Sequence, residues 1–300
     1  MMKIRIISSF LSSKRSTTDI IRHFSSKEDA LKRRQEELMK RGLPKRKPID
    51  GVKNIILVSS GKGGVGKSTI AVNLSLAISN LPARYKVCLL DADIFGPSVP
   101  IMMNVSESPL LDDSDKMIPV TNHGVGCMSM GLLVQKDSAV VWRGPMVMSA
   151  LNKLLFGTNW GDTDYLVVDT PPGTGDIHLS LSQSLAVSGA VVVTTPQAVA
   201  RADVTKGVDM YRKMGVPVLG LVHNMASYEC ASCGAQNYLF GEDGARAMAA
   251  GLGIPLLGNI PVDPDIVTSG DRGVPLVISK PQSKATEIYG EIAAQICQEE

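Results

Sequence analysis

Cysteine is scarce in this sequence, and long apolar runs are missing from it. The chain has 300 residues and 5 cysteines, and so few cysteines in an odd number argue against a disulfide framework. No uninterrupted apolar run approaches the roughly 20 residues needed to cross a bilayer, so we expect no transmembrane segment. Hydrophobic residues nevertheless make up 44% of the chain, which is enough for a sizeable buried core.

A basic surplus is absent from most of the chain. The formal net charge is +2 and the sequence pI is about 8.2, but the first 50 residues contain 14 Lys and Arg against 6 Asp and Glu. Subtraction from the totals of 31 and 29 leaves 17 and 23 for residues 51–300, a net charge of about −6. We therefore expect no broad basic face of the kind that binds nucleic acid.

The positive charge is concentrated at the N-terminus. Residues 1–26 are rich in serine and have no acidic residue before Asp19, a composition typical of a mitochondrial transit peptide. The segment Arg22-His-Phe-Ser25 resembles a processing site, and a disordered basic tail is the alternative. Residues 27–50 are predicted to form a charged helix and a Pro-flanked linker. We thus expect a mitochondrial matrix protein whose folded domain spans residues 51–300. The basic residues behind this prediction are Lys3, Arg5, Lys14, Arg15 and Arg22.

Short apolar runs alternate with helix-like segments from Val52 onward. Such alternation predicts an α/β fold with a mostly parallel β-sheet and helices on both faces. In such sheets ligands bind at the carboxyl ends of the strands, and the polar motifs of this sequence begin at those ends. The predicted strands are Ile55–Val58, Val87–Leu90, Gly126–Met130, Tyr165–Val168, Ala190–Val193, Val218–Val222 and Ile254–Leu257.

A glycine-rich loop follows the first predicted strand. It fits the template G-x-x-x-x-G-K-[ST], which binds nucleoside triphosphates when it lies between a strand and a helix. Glycines let several backbone N–H groups converge on one anion, and the next helix adds the positive end of its dipole. The sequence therefore predicts a P-loop. Its predicted nucleotide-binding residues are Gly61, Lys62, Gly63, Gly64, Val65, Gly66, Lys67, Ser68 and Thr69.

Several side chains at this edge have separate predicted roles. Lys67 would neutralise the β- and γ-phosphates, Ser68 would offer its hydroxyl to Mg²⁺, and Thr69 would lie beside the α-phosphate. Two carboxylates follow neighbouring strands. We predict that Asp169 holds Mg²⁺ and its water, and that Asp91 orients the attacking water.

Two further groups belong to the same motifs. The backbone N–H of Gly173 is a candidate sensor of the γ-phosphate. Asp93 either serves the site or caps the following segment, and the sequence favours neither interpretation.

Three segments together resemble the deviant Walker P-loop ATPases of the SIMIBI class. They are the P-loop with its additional Lys62, Asp91-Ala-Asp-Ile-Phe-Gly-Pro-Ser98, and Asp169-Thr-Pro-Pro-Gly-Thr-Gly-Asp176. Within that class they are most similar to the Mrp/ApbC iron–sulphur carrier branch, and the match extends from about Gly51 to the C-terminus. Together with the N-terminal composition, this resembles the mitochondrial members that help to assemble respiratory complex I.

This resemblance implies ligands and partners. ATP and Mg²⁺ would bind, and hydrolysis would be slow and act as a gate rather than as metabolic turnover. Lys62 would reach across a dimer to the phosphates bound by the second subunit. Asn224, which follows the strand ending at Val222, would recognise the base. The implied partners are upstream cluster donors and apo iron–sulphur proteins, with complex I subunits among them.

The pair Cys230 and Cys233 presents two thiolates in one loop. Two ligands cannot complete a four-ligand site. A symmetric dimer would bring two pairs to its axis and give Cys₄, enough for a bridging [4Fe–4S] cluster, and the same symmetry suits Lys62 acting on the second subunit. Both features predict a homodimer. An intersubunit zinc site and a thioredoxin-like dithiol are the alternatives.

The remaining cysteines and histidines are assigned no role. Cys88 and Cys127 lie in apolar runs and are predicted to be buried, whereas Cys297 is predicted to face solvent near the C-terminus. The histidines interpreted as loop or strand-end residues without a joint metal site are His123, His178 and His223.

Three functional classes compete for this sequence. They are an ATP-gated metallocofactor carrier, a MinD- or ParA-like switch ATPase with a structural zinc Cys₄ site, and a redox ATPase resembling the nitrogenase iron protein. The apolar stripe between Ile288 and Ile296 is flanked by glutamates, which do not suit the anionic membrane surface that MinD binds. A ParA-like protein would need the missing basic face, and the nitrogenase type places its cluster cysteines singly. The sequence favours a carrier that holds a labile [4Fe–4S] cluster at a homodimer interface and delivers it to mitochondrial apoproteins.

Overall fold

The computed structural model describes residues 46–134, 144–230, 232–241 and 244–298. The predicted transit peptide and residues 27–45 of the predicted helix and linker lie outside these ranges. The strands are β1 (Val52–Ser60), β2 (Val87–Asp91), β3 (Val120–Asn122), β4 (Val125–Ser129), β5 (Thr163–Asp169), β6 (Gly189–Thr194), β7 (Val218–His223), β8 (Tyr228–Glu229), β9 (Gln236–Asn237) and β10 (Leu256–Asn259). The α-helices are α1 (Lys67–Ser79), α2 (Val99–Met102), α3 (Gly144–Phe156), α4 (Asp176–Ser184), α5 (Ala198–Lys213), α6 (Gly244–Leu252), α7 (Pro264–Asp271), α8 (Leu276–Ser279) and α9 (Lys284–Gln298).

Eight strands form one sheet in the order β10-β7-β6-β1-β5-β2-β4-β3. Every neighbouring pair is parallel except β3 with β4. The predicted mostly parallel sheet is therefore confirmed. The last predicted strand was placed two residues early, because β10 begins after Pro255, which has no N–H group to donate to a ladder.

The core lies on both faces of this sheet. Ile56 and Val58 of β1 pack in one apolar cluster with residues of α1 and α9. Ile55 and Leu57 point the other way and pack with residues of α3 in a second cluster, as the two-residue period of a strand requires. The predicted covering of both faces by helices is thus confirmed.

The C-terminal helix α9 is part of this core. Ile292, Ala293 and Ile296 are buried, and Ile288 packs against them. The apolar stripe therefore faces the protein interior. In the part of the chain that the structure describes, no helix is both long enough and apolar enough to cross a membrane.

The end of the predicted linker packs onto this domain. The N–H of Lys47 donates to the carbonyl of Ser184 (2.8 Å), and the carbonyl of Lys47 accepts from Ala186 (3.3 Å). Ile49 is buried. Residues 46–50 therefore extend the folded unit by a short segment before the predicted start at residue 51.

The strand register places the polar motifs side by side. Val58 of β1 lies opposite Asp169 of β5, and Asp169 lies opposite Asp91 of β2. All three strands are parallel, so their carboxyl ends meet at one edge. That edge holds the P-loop and both carboxylates.

Candidate nucleotide and thiolate sites

The P-loop wraps over the side chain of Asn224. Asn224 Nδ2 donates to the carbonyl of Val65 at 2.8 Å. A Cβ on Gly66, whose φ is +82°, would lie 2.2 Å from the same Nδ2, so only glycine fits here. Asn224 follows β7 directly. It therefore connects the loop after β1 with the segment after β7.

Lys67 begins α1 and lies against Asp169. Both residues are buried, and the Lys67 ammonium forms a hydrogen-bonded ion pair with Asp169 Oδ1. Burial raises the pKa of Asp169, and the positive charge of Lys67 opposes that rise. Lys67 Nζ also lies 3.3 Å from the hydroxyl of Ser68. Lys67 and Ser68 at the start of α1 and Asp169 at the end of β5 therefore lie together, beside the P-loop.

The second oxygen of Asp169 indicates where a cation fits. Asp169 Oδ2 is buried and has no hydrogen-bond partner among the described residues. An unpartnered buried carboxylate oxygen is costly. The hydroxyl of Ser68 and the carboxylate of Asp169 are oxygen ligands of the type that Mg²⁺ prefers. The residues present therefore fit a magnesium ion.

Asp91 is engaged by its own chain. Its carboxylate accepts hydrogen bonds from the N–H groups of Asp93, Ser98 and Val99 and from the hydroxyl of Ser129, at 3.1–3.2 Å. Burial, with the negative charge of Asp169 adding to it, raises the pKa of Asp91 to about 7. Asp91 thus anchors the segment that leads into α2. The sequence favours neither a role in the site nor a capping role for Asp93. In the structure Asp93 is half-exposed and lies at the start of the segment that leads into α2.

Two groups of the predicted site face other partners or solvent. The N–H of Gly173, a candidate γ-phosphate sensor, donates to the carbonyl of Ser60 at 2.9 Å. Lys62 is exposed, and its carbonyl accepts from the Ser60 hydroxyl at 2.9 Å. The Lys62 side chain therefore lies at the protein surface.

A buried polar contact that the sequence did not reveal supports the segment after β5. His178 lies inside α4 and is buried, so its interpretation as a loop or strand-end residue was wrong. Nε2 lies 2.8 Å from the carbonyl of Pro171, to which it must donate, so Nδ1 accepts from the hydroxyl of Tyr211 at 3.0 Å. Burial lowers the pKa of His178. This neutral histidine ties Pro171 to α5.

The two thiols of the predicted pair lie between the short antiparallel strands β8 and β9. Tyr228 pairs with Asn237 in this hairpin, and Cys230 donates its N–H to Ala235 (3.0 Å). Cys233 is exposed and Cys230 half-buried. Backbone N–H groups of Ser232 and Cys233 face the Cys230 sulphur and lower the pKa of its thiol. Such N–H groups favour the thiolate, the form that binds metals.

The Cys pair has no further candidate metal ligand beside it in the described part of the chain. Within the described ranges, no group of three or more His, Cys, Asp and Glu side chains is placed to hold a metal ion. Cys88 and Cys127 are buried, as predicted, and burial raises the pKa of the Cys127 thiol to about 12. Cys297 is half-buried against the core rather than facing solvent.

The phosphate and thiol sites are neighbours along the sheet edge. The P-loop follows β1 and the hairpin follows β7, with β6 between them. Two strand spacings correspond to about 10 Å.

Two histidines lie where the sequence predicts them. His223 is at the end of β7, with its Nδ1 3.0 Å from Asn259 Oδ1, and His123 lies in the turn between β3 and β4.

Comparisons with known proteins agree with this geometry. Residues 51–297 match the family model of the NUBPL iron-transfer P-loop NTPase. The chain is 51% identical over 268 residues to the iron–sulfur cluster transfer protein NUBPL of Mus musculus, covering 89% of this chain and 84% of that protein. It is 54% identical over 248 residues to the iron–sulfur protein required for NADH dehydrogenase, mitochondrial, of Arabidopsis thaliana, covering 83% and 79%.

Solved structures show the same fold. A nucleotide-binding protein from Archaeoglobus fulgidus in complex with ADP is 34% identical, with a TM-score of 0.69, covering 80% of this chain and 93% of that chain. The cell division ATPase MinD of Pyrococcus furiosus is 24% identical, with a TM-score of 0.63, covering 82% and 99%. At that lower identity the similarity concerns the fold alone.

Proposed function

Because the chain belongs to the NUBPL iron-transfer family of P-loop NTPases, we propose that it is an ATP-binding carrier of iron–sulphur clusters. The family resemblance read from the P-loop and the two aspartate motifs is confirmed. The observation that carries the proposal is the position of Cys230 and Cys233 on the hairpin after β7, beside a complete phosphate-binding loop. Cargo and nucleotide would thus share one edge of the sheet.

The nucleotide site is proposed to bind the phosphates of ATP through positively charged and N–H groups. The loop N–H groups and the N-terminus of α1 hold the phosphates, and Lys67 turns from Asp169 toward the β- and γ-phosphates. Ser68 and Asp169 would hold Mg²⁺, which supplies charge neutralisation at the phosphates when bound. Lys62 is proposed to act on the nucleotide of a second subunit, and Asn224 to contact the base.

Asp91 at the end of β2 and Asp93 just after it are proposed to have different roles. Asp91 keeps the following segment in place, because its oxygens already accept four hydrogen bonds. Asp93 is half-exposed and close enough to Asp169 for its charge to affect that carboxyl group. The water-orienting role predicted for Asp91 therefore fits Asp93 better, while Asp91 positions it.

Asn substitutions separate these roles. We expect Asp91→Asn to lower the free energy of unfolding by about 1–3 kcal/mol, because an amide accepts poorly from the N–H groups of Ser98 and Val99. Asp93→Asn should change stability by no more than about 0.5 kcal/mol but slow ATP hydrolysis at least about tenfold. Urea unfolding and phosphate release measure the two effects. A stable but inactive Asp91→Asn protein would return the catalytic role to Asp91.

The cargo is proposed to be a [4Fe–4S] cluster bound by two chains. Each chain offers Cys230 and Cys233, and the cluster takes four thiolates. A two-fold axis through the hairpins would supply them in a homodimer. Such a cluster depends on the interface staying closed. ATP binding and slow hydrolysis would act as the gate by favouring one of two dimer arrangements.

The destination is proposed from the relatives. One is named as mitochondrial and as required for NADH dehydrogenase, and residues 1–26 have the composition of a transit peptide. We propose that the chain works in the mitochondrial matrix, with residues 1–26 as the targeting segment and residues 27–45 as a linker before the carrier domain. It would receive clusters from upstream donors and deliver them to apoproteins, complex I subunits among them.

Anaerobic reconstitution of the full chain with iron and sulphide tests the proposal. We expect about four irons and four sulphides per dimer and the Mössbauer spectrum of a [4Fe–4S] cluster. Iron, sulphide, zinc and particle mass are measured on the same sample. A dimer with one zinc and no iron after reconstitution would contradict the carrier function and indicate a P-loop switch ATPase with a structural Cys₄ site.

A further inference from the structure

Three exposed apolar residues follow the hairpin directly. Tyr238, Leu239 and Phe240 are 47%, 58% and 43% exposed. Aromatic residues make up only 4% of this chain, yet two of them, Tyr238 and Phe240, are exposed on either side of Leu239. A contiguous exposed apolar run of this kind marks a contact surface.

This apolar segment adjoins the thiols. Tyr238 and Cys230 both line one cavity of about 1040 Å³. Four residues separate Cys233 from Tyr238, so the two lie at most about 18 Å apart even in a fully extended chain. The cavity wall also includes Arg246 and Lys284, and Lys284 lies 3.6 Å from Glu229 of β8. An apolar rim and side chains of both charges therefore surround the cavity that Cys230 lines.

The thiol pair indicates what covers the segment. Two ligands leave a four-ligand site half complete, so whatever completes it approaches the Cys230–Cys233 turn. A standard interface takes about 800 Å² from each partner, which corresponds to a disc of about 16 Å radius. Tyr238 lines the same cavity as Cys230, so a contact that covers this cavity reaches Tyr238, and a two-fold axis there places the same segment of both chains at the contact.

We propose that Tyr238, Leu239 and Phe240 are the apolar part of the contact between two copies of this chain, and that this contact closes the cavity over the paired thiols. The inference rests on the proposed function, since it takes Cys230 and Cys233 as ligands shared between two copies. The segment excludes water and chelators from the bound metal. Loss of the segment weakens the dimer and exposes the metal without removing a ligand.

A double serine variant of the full chain tests the contact. Leu239→Ser/Phe240→Ser is compared with Leu110→Ser/Leu111→Ser, a pair that is 75% and 60% exposed on a loop before β3. Zinc alone is the first probe and a reconstituted iron–sulphur cluster the second. Sedimentation gives the dimer dissociation constant, and a chelator competition gives the rate of metal loss.

We expect the hairpin variant to raise the dissociation constant and the rate of metal loss at least about tenfold, with the control pair unchanged. ATP binding must be retained as evidence of folding, and Leu239→Ser alone must shift both values in the same direction. An unchanged dimer and metal lifetime, with slower delivery to an apoprotein, would overturn the proposal and assign the segment to the recipient. A wild-type chain that binds neither zinc nor iron would instead refute the proposed function.

Discussion

Replacing Lys67 with alanine is expected to lower the affinity for ATP by at least about 100-fold, a loss of about 2.7 kcal/mol. The same change should destabilise the protein by about 3–5 kcal/mol, because it leaves the buried Asp169 carboxylate without its counter-charge. Calorimetric titration and urea unfolding measure the two losses. Both follow from one ion pair at the start of α1.

A second substitution separates binding from folding. In Lys67→Ala/Asp169→Asn the buried charge is gone, so stability should recover by at least about half while ATP binding stays weak. Titrations without magnesium avoid the proposed contribution of Asp169 to cation binding. Wild-type affinity in the double variant would show that Lys67 does not contact the phosphates and would remove the basis for the P-loop roles.

Replacing both Cys230 and Cys233 with alanine is expected to abolish cluster binding. Iron after reconstitution should fall from about four to fewer than about 0.5 atoms per dimer. ATP affinity should stay within about twofold, because the hairpin and the P-loop follow different strands, β7 and β1, which are two strand spacings or about 10 Å apart. Cys297→Ala is the matched control, since that half-buried cysteine lies in α9, and it should retain the cluster.

Dimers that combine wild-type and double-variant chains distinguish a site shared by two chains from a site within one chain. When wild-type and double-variant chains are co-expressed in equal amounts, random pairing gives about a quarter of dimers with all four thiols. Only that fraction should hold a stable cluster if the site bridges two chains. A site completed within one chain would instead load about half of all chains. Retention of a full cluster by the pure double variant would refute the assignment altogether.

The P-loop and its surroundings were predictable because local pattern determines them. The motif from Gly61 to Thr69 needs only glycine geometry and a strand before it, and strand direction brings Asp91 and Asp169 to the same edge. The short strand β3 was not predicted, because three residues are too few to show a period. The Cys pair was recognisable from its spacing. The backbone N–H groups that face the Cys230 sulphur could not be predicted, because they depend on how the loop folds.

The contacts that the sequence did not reveal join residues far apart in the chain. Asp91 accepts from Ser129, 38 residues away, and His178 bonds to Tyr211, 33 residues away. No local periodicity predicts such pairings, because they depend on which elements the sheet places side by side. The four hydrogen bonds that Asp91 accepts are therefore the reason for proposing that it positions Asp93.

The position of Asn224 has a consequence for measurement. Its side chain holds the P-loop at Val65, its N–H bonds to Thr194, and the hairpin begins four residues later at Tyr228. A nucleotide that displaced the loop would break the contact with Asn224 and so act on the segment that carries the thiols. Free-energy coupling between two sites is reciprocal, so under the proposed function metal on the thiols would change the affinity for ATP by the same factor by which ATP changes the affinity for the metal. A nucleotide titration can thus reveal the state of the cargo.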